Sequence, residues 1–158
     1  ADESSFFIFI EPSTKHINLN LLKLRDFLLQ KYAILLPCTH QMCCPALQQN
    51  EWCHQEWAYR APARYWEIVR HLGFRKKQLS FSLLVIGKQA SRFQKHQARV
   101  VSSDLSSKGK CEKWLCAQGK RWKETKLLRD KDYENESFFE ARRGNVIDCL
   151  STDCSPSD

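Results

Sequence analysis

The chain has 158 residues, of which 42% are hydrophobic and 27% charged, and a formal net charge of +7. That length suits one domain, or one domain with an appendage, and the apolar share is enough for a packed core. No apolar run approaches the roughly 20 residues of a membrane-spanning helix, so no membrane partner is expected; the basic balance fits a polyanion such as RNA and an unattached basic surface equally well.

Phe6–Ile10 is a continuous run of aromatic and β-branched residues, the pattern of a buried strand, stopped at Glu11-Pro12. Asn18 or Asn20 is the expected cap of a helix reaching about Lys31, with Leu21, Leu24 and Leu28 at helical spacing. Tyr32–Leu36 reads as a second buried strand. Strand, helix and strand in that order predict a βαβ unit in a parallel sheet. Residues 37–60 form a cysteine-rich loop. Pro62 opens a helix through about Leu72, Gly73 closes it, and Leu79–Gly87 is a further buried strand. The basic run Arg92, Lys95, His96 and Arg99 reads as linker rather than contact.

From Ala98 the texture changes. Arg99–Ser102, Lys110–Cys116 and Lys120–Leu127 are predicted strands, with turns at residues 106–109 and 118–119. A charged helix is expected near Asp130–Arg143, ending at Gly144, and the Ser/Asp/Pro-rich residues 151–158 are expected to be disordered. The fold class is therefore α/β. Residues 1–97 resemble the back half of a doubly wound domain, and residues 98–150 form a small β-rich unit with a final helix.

Eight cysteines could build a disulfide framework, but the ordinary core and the lack of a secretory leader favour metal-bound thiolates in a reducing compartment. Cys38, Cys44 and Cys53 are separated by five and eight residues. Zinc knuckles use two-residue gaps, whereas wide, uneven gaps suit a larger iron–sulfur cubane. Spacing leaves both centres open, along with buried cysteines that bind nothing. For a fourth ligand, Cys111 and Cys116 lie on opposite faces of one strand, so only one can face the centre. Cys116, at the strand end and on the face of Trp114, is the choice. Cys43 is a bystander, and Cys149 and Cys154 read as free thiols. His40 and His54 offer a rival Cys/His zinc site, or hydrogen bonds to metal-bound sulfur.

No nucleophile and base are placed together, and Glu11 at the end of a strand reads as a turn residue, so no catalytic residue is assigned. Arg60, Arg64, Arg75, Lys76 and Lys77, with Arg70 and the aromatic residues Trp57, Tyr59, Tyr65 and Trp66 among them, are candidates for RNA contact. The same residues fit a helix with a solvated basic face. Lys108, Lys110, Lys113, Lys120, Arg121 and Lys123 flank Cys116 and suit either RNA or the charge of a cluster.

Glu11-Pro12-Ser13-Thr14, Cys38-Thr39-His40, Cys44-Pro45, Trp52-Cys53-His54, Phe81-Ser82-Leu83 and Leu115-Cys116 follow one another along the chain. In that order they resemble the C-terminal half of the methyltransferase-like proteins of mitochondrial small-ribosomal-subunit assembly and their bacterial relatives. The likeness covers most of residues 6–144. It implies a four-iron, four-sulfur cluster on Cys38, Cys44, Cys53 and Cys116. It also implies a Rossmann-like methyltransferase region with a β-rich C-terminal unit, bound to small-subunit ribosomal RNA and ribosomal proteins. The implied location is the mitochondrial matrix, or the cytoplasm for a bacterial relative. Thr39, Ser13 and Gln55 depart from the family's proline, glycine and phenylalanine, and none of the three removes a ligand.

The five glycines never form a Gly-x-Gly pair. S-adenosylmethionine is therefore expected only with an N-terminal Rossmann half supplied by another segment or chain. The reading is an iron–sulfur, rRNA-associated, methyltransferase-like factor for small-subunit assembly and translation, its enzymatic activity left open. The alternatives are an active rRNA methyltransferase completed by that missing half, and a zinc-stapled nucleic-acid-binding module.

Overall fold

A computed structural model describes residues 5–58, 60–73, 78–89, 92–133 and 135–149. Tyr59, Arg75, Lys76, Lys77, Cys154 and the tail 151–158 lie outside them.

The first sheet is built on one long strand. Strand β1 (Phe6–Pro12), helix α1 (Lys15–Leu28) and strand β2 (Ala33–Leu36) follow in the expected order. Then come the short helix α2 (Pro45–Gln48), strand β3 (Gln55–Ala58), helix α3 (Ala63–Leu72) and strand β4 (Gln78–Gly87). The predicted parallel pairing of β1 with β2 does not form. Both pair antiparallel with β4, in the order β1-β4-β2, so β4 lies between them. The apolar Phe81–Ile86 stretch supplies a hydrogen-bonding edge on each side, and the two outer strands remain parallel to one another.

Burial on this sheet also differs from expectation. Helix α1 covers one face, packing Leu21 against Ile34, Leu84 and Ile86. Residues of β1 opposite Leu83, Val85 and Gly87 point to the other face. Phe6, Ile8 and Ile10 are accordingly exposed, so β1 is an edge strand with an open apolar face rather than a buried strand.

Helix α1 starts at Lys15, with Thr14 at its cap, and Asn18 lies inside it, buried. Helix α3 follows Pro62 and ends at Gly73, whose φ of 70° is the left-handed conformation that stops a helix.

The second sheet runs β7-β6-β5-β8 and is wholly antiparallel. It comprises β5 (Gln97–Val100), β6 (Lys110–Ala117), β7 (Lys120–Leu127) and β8 (Val146–Asp148). Strands β6 and β7 form a hairpin closed at Gln118-Gly119, both with positive φ as a tight two-residue turn requires. Along β6, Cys111, Lys113, Leu115 and Ala117 are buried and the residues between them less so. Their face joins Ala98, Val100, Phe138, Ala141 and Ile147 in a second core.

The charged helix predicted over Asp130–Arg143 shrinks to α4 (Glu136–Glu140) after a single 3₁₀ turn at Leu128–Asp130. Asp132 and Asn135 exchange side-chain-to-backbone hydrogen bonds, and Asn135 also donates to the Asp130 carbonyl. These local bonds compete with helix at its expected start. At the other end, Lys113 Nζ takes the carbonyls of Phe139 and Ala141.

Candidate functional site

The cysteine loop is gathered by its ends. Leu36 pairs with Val85 and Gln55 with Phe81, so both ends of residues 37–54 are pinned to one edge of β4. Those anchors are four residues apart on a strand, roughly 13 Å. The intervening chain must fold back on itself over that span.

Side chains from α1 fix the fold-back. Asn18 Oδ1 accepts the Cys53 N–H at 2.9 Å, and its Nδ2 donates to the Cys53 carbonyl at 2.5 Å and to the buried Ser82 hydroxyl at 2.9 Å. The Asp26 carboxylate accepts the Cys44 N–H at 3.0 and 3.1 Å. Arg25 donates to Asp26 and to the carbonyls of Met42 (2.5 Å) and His40 (3.1 Å). Asn18, Arg25 and Asp26 lie seven and eight residues apart, one face of a helix, and together hold the loop. Gln41 closes the near end, its side-chain amide bonding the N–H and carbonyl of Ile34 at 2.7 Å each.

The second sheet brings the fourth thiol. The hairpin turn is seated on the loop: a Cβ on Gly119 would sit 3.1 Å from the Met42 Cβ. Thr39 Oγ1 donates to the Cys116 carbonyl at 3.4 Å, and Arg121 Nη1 donates to Gln49 at 3.3 Å. Further round, Glu56 of β3 pairs with Arg143 at 3.1 Å and with His54 at 3.2 Å.

Cys38, Cys44, Cys53 and Cys116 therefore line one cavity, shared with Asn18, Arg25, His40, Trp52, Arg99 and Arg121. All four are thiols with no disulfide. Among the described residues, no group of three or more His, Cys, Asp or Glu side chains is arranged to hold a metal ion.

Burial raises the Cys38 thiol pKa, pushes that of Cys44 up to about 11, and raises that of Cys116 further; at Cys116 the neighbouring Cys38, Cys53 and Cys44 add to it. Arg99 is 3% exposed and donates from Nη1 to Cys53 Sγ at 3.2 Å. Burial works against its charge, whereas Cys53, Cys38 and Cys116 favour it once they are thiolates, and that raises its pKa. Among the described residues, its Nε and Nη2 have no hydrogen-bond partner, nor does Arg25 Nε.

His40 is buried, and its Nδ1 accepts the Met42 N–H at 3.2 Å. The proton therefore sits on Nε2, which faces Cys116 Sγ at 3.7 Å. Burial, then Arg25, lowers the His40 pKa to about 4, so the ring is neutral near pH 7.

The structure brings together the four predicted cysteines and His40. Cys43 is exposed, and Cys111 is buried in the second core on the opposite face of β6. Cys149 is half-buried against that same core. His54 is turned to Glu56. Arg60 and Arg64 are exposed, with Arg64 on α3. Lys113 is buried and serves the second core, not the cavity. Lys110 and Lys123 pair with Glu112, while Arg121 lies over the Trp114 ring at 4.8 Å and reaches the cavity. Arg99 is no linker residue. Sequence reasoning missed it, along with Arg25, Asn18 and Asp26. The available signal was charge inside an apolar pattern: Arg25 on the leucine face of α1, and Arg99 between Ala98 and Val100.

The donor set is soft thiol sulfur, and the wall carries buried guanidinium N–H groups with no partner. Such a wall fits an anionic, thiolate-bound inorganic centre. Comparison with curated proteins finds no match. The family model described as mitochondrial small ribosomal subunit Rsm22 matches residues 1–150, which span both sheets and all four cavity thiols. The chain thus belongs to the mitochondrial small ribosomal subunit Rsm22 family.

Proposed function

We propose that this chain carries a four-iron, four-sulfur cluster on Cys38, Cys44, Cys53 and Cys116, and that the cluster fastens the C-terminal sheet to the β4 sheet. The observation behind it is that four thiols from two separate parts of the chain line one buried cavity. An all-sulfur donor set from widely spaced positions, lining one buried cavity, suits such a cluster. When bound, such a cluster supplies four fixed attachment points and a one-electron redox couple. The residues do the positioning: Asn18 holds Cys53, Asp26 holds Cys44, and the Met42–Gly119 contact seats Cys116.

Membership of the family ties the chain to the mitochondrial small ribosomal subunit. Within that setting it is an RNA-associated, methyltransferase-like assembly factor of the matrix. The parallel relation of β1 and β2 across α1 supports a methyltransferase-like sheet, of which these residues are the C-terminal part. The open edge and apolar face of β1 are where the rest of that sheet attaches. The exposed Arg60 and Arg64 are the basic residues for ribosomal RNA.

Anaerobic purification followed by iron, sulfide and zinc determination tests the proposal. Iron with matching sulfide supports it. One zinc in a colourless protein replaces the cluster with a zinc staple.

A further inference from the structure

Two arginines stand out in the cavity wall, because among the described residues no carboxylate pairs with one of them. Arg25 is 1% exposed but is paired with Asp26 at 2.5 Å. Arg99, 3% exposed, has a thiol sulfur as its hydrogen-bond partner, and among the described residues two of its three nitrogens make no hydrogen bond. A guanidinium cannot shed its proton to escape burial. Left among four neutral thiols, its charge is strongly unfavourable.

We infer that Arg99, backed by Arg25, is the built-in counter-charge of the four-thiol cavity, retaining the anionic thiolate-bound core and setting its reduction potential. This rests on the cluster reading above and goes beyond it. Four cysteine thiolates around an iron–sulfur core leave a net negative charge. Arg99 faces that charge at Cys53, and its unpartnered N–H groups have sulfur as their natural acceptor. A nearby cation stabilises the reduced state, which holds one more electron, so Arg99 raises the potential. Without the core, the same cation is unpaired and destabilises the fold.

The opposite signs make the test. Arg99→Met keeps the volume and removes the charge; Arg99→Lys keeps the charge and loses the fork of donors. Both are compared with the unaltered chain after anaerobic purification. The readouts are iron release to a chelator, the midpoint potential, and the melting temperature of the chelator-stripped chain. In R99M, release is expected to be on the order of tenfold faster. Its potential is expected to be more negative, and the stripped chain to melt at or above the unaltered one. R99K falls between on release and stays near the unaltered potential. An R99M protein that keeps its iron equally long at the same potential overturns the inference and leaves the cluster standing. So does an R99M protein whose stripped form is less stable than the unaltered one, since Arg99 then acts as ordinary structure. An unaltered chain without iron defeats the cluster reading and this inference with it.

Discussion

Asn18 of α1 brackets Cys53, accepting its N–H at 2.9 Å and donating to its carbonyl at 2.5 Å. One side chain thus replaces the strand partner that this stretch of loop lacks, and it does so from a helix 35 residues away. Asn18→Ala leaves both groups buried without a partner, at a cost of about 3 kcal/mol. Urea unfolding reads this loss. Asn18→Asp keeps the acceptor but sets a buried carboxylate oxygen against the Cys53 carbonyl, so it should cost at least as much as Asn18→Ala.

Gly119 meets two demands at once. Its φ is 72°, and an added Cβ would press on Met42 at 3.1 Å. Gly119→Val is expected to cost about 2 kcal/mol, combining left-handed strain with displacement of the hairpin from the loop. Because Cys116 sits just before this turn, metal retention falls with stability. Gly109→Ala is the control: its φ is also positive, but nothing lies within 4 Å of its added Cβ, so metal retention stays unchanged.

Lys113 is 2% exposed and its ammonium donates to the Phe139 and Ala141 carbonyls. Lys113→Met strands those carbonyls at the end of α4 and lowers stability by about 2 kcal/mol. It leaves the cavity thiols in place. Thermal melting should therefore drop while metal content holds.

For RNA, Arg60→Ala combined with Arg64→Ala removes two exposed cations. Affinity for small-subunit ribosomal RNA should weaken, and the slope of log K against log salt should flatten by roughly 1.5 to 2. An unchanged slope assigns these arginines to a plain solvated face.

Local features of the chain were readable from residue patterns. Lys110–Cys116 reads as a strand, Gln118-Gly119 marks a turn, and Pro62 and Gly73 bound a helix, and the structure has each of them, the strand one residue longer. Partner choice was not. Nothing near Phe6 or Ala33 announces that β4, more than 40 residues later, will come between them. Strand β3 and strand β8, four and three residues long, carry too little pattern to stand out. At the site, the cysteines were legible because sulfur is rare and chemically distinctive. Arg25 and Arg99 were not, because an arginine in a basic chain reads as surface until a fold encloses it.

Anaerobic determination of iron, acid-labile sulfide and zinc in the unaltered chain and in Cys43→Ser, Cys111→Ser and Cys116→Ser tests the central claim most directly. Roughly four iron and four sulfide per chain are expected in the unaltered protein and in the first two variants. Cys116→Ser should lose most of both, with the second sheet becoming more accessible to hydrogen exchange. Zinc in place of iron, or a Cys116→Ser protein that keeps its metal while Cys43→Ser loses it, would contradict the account.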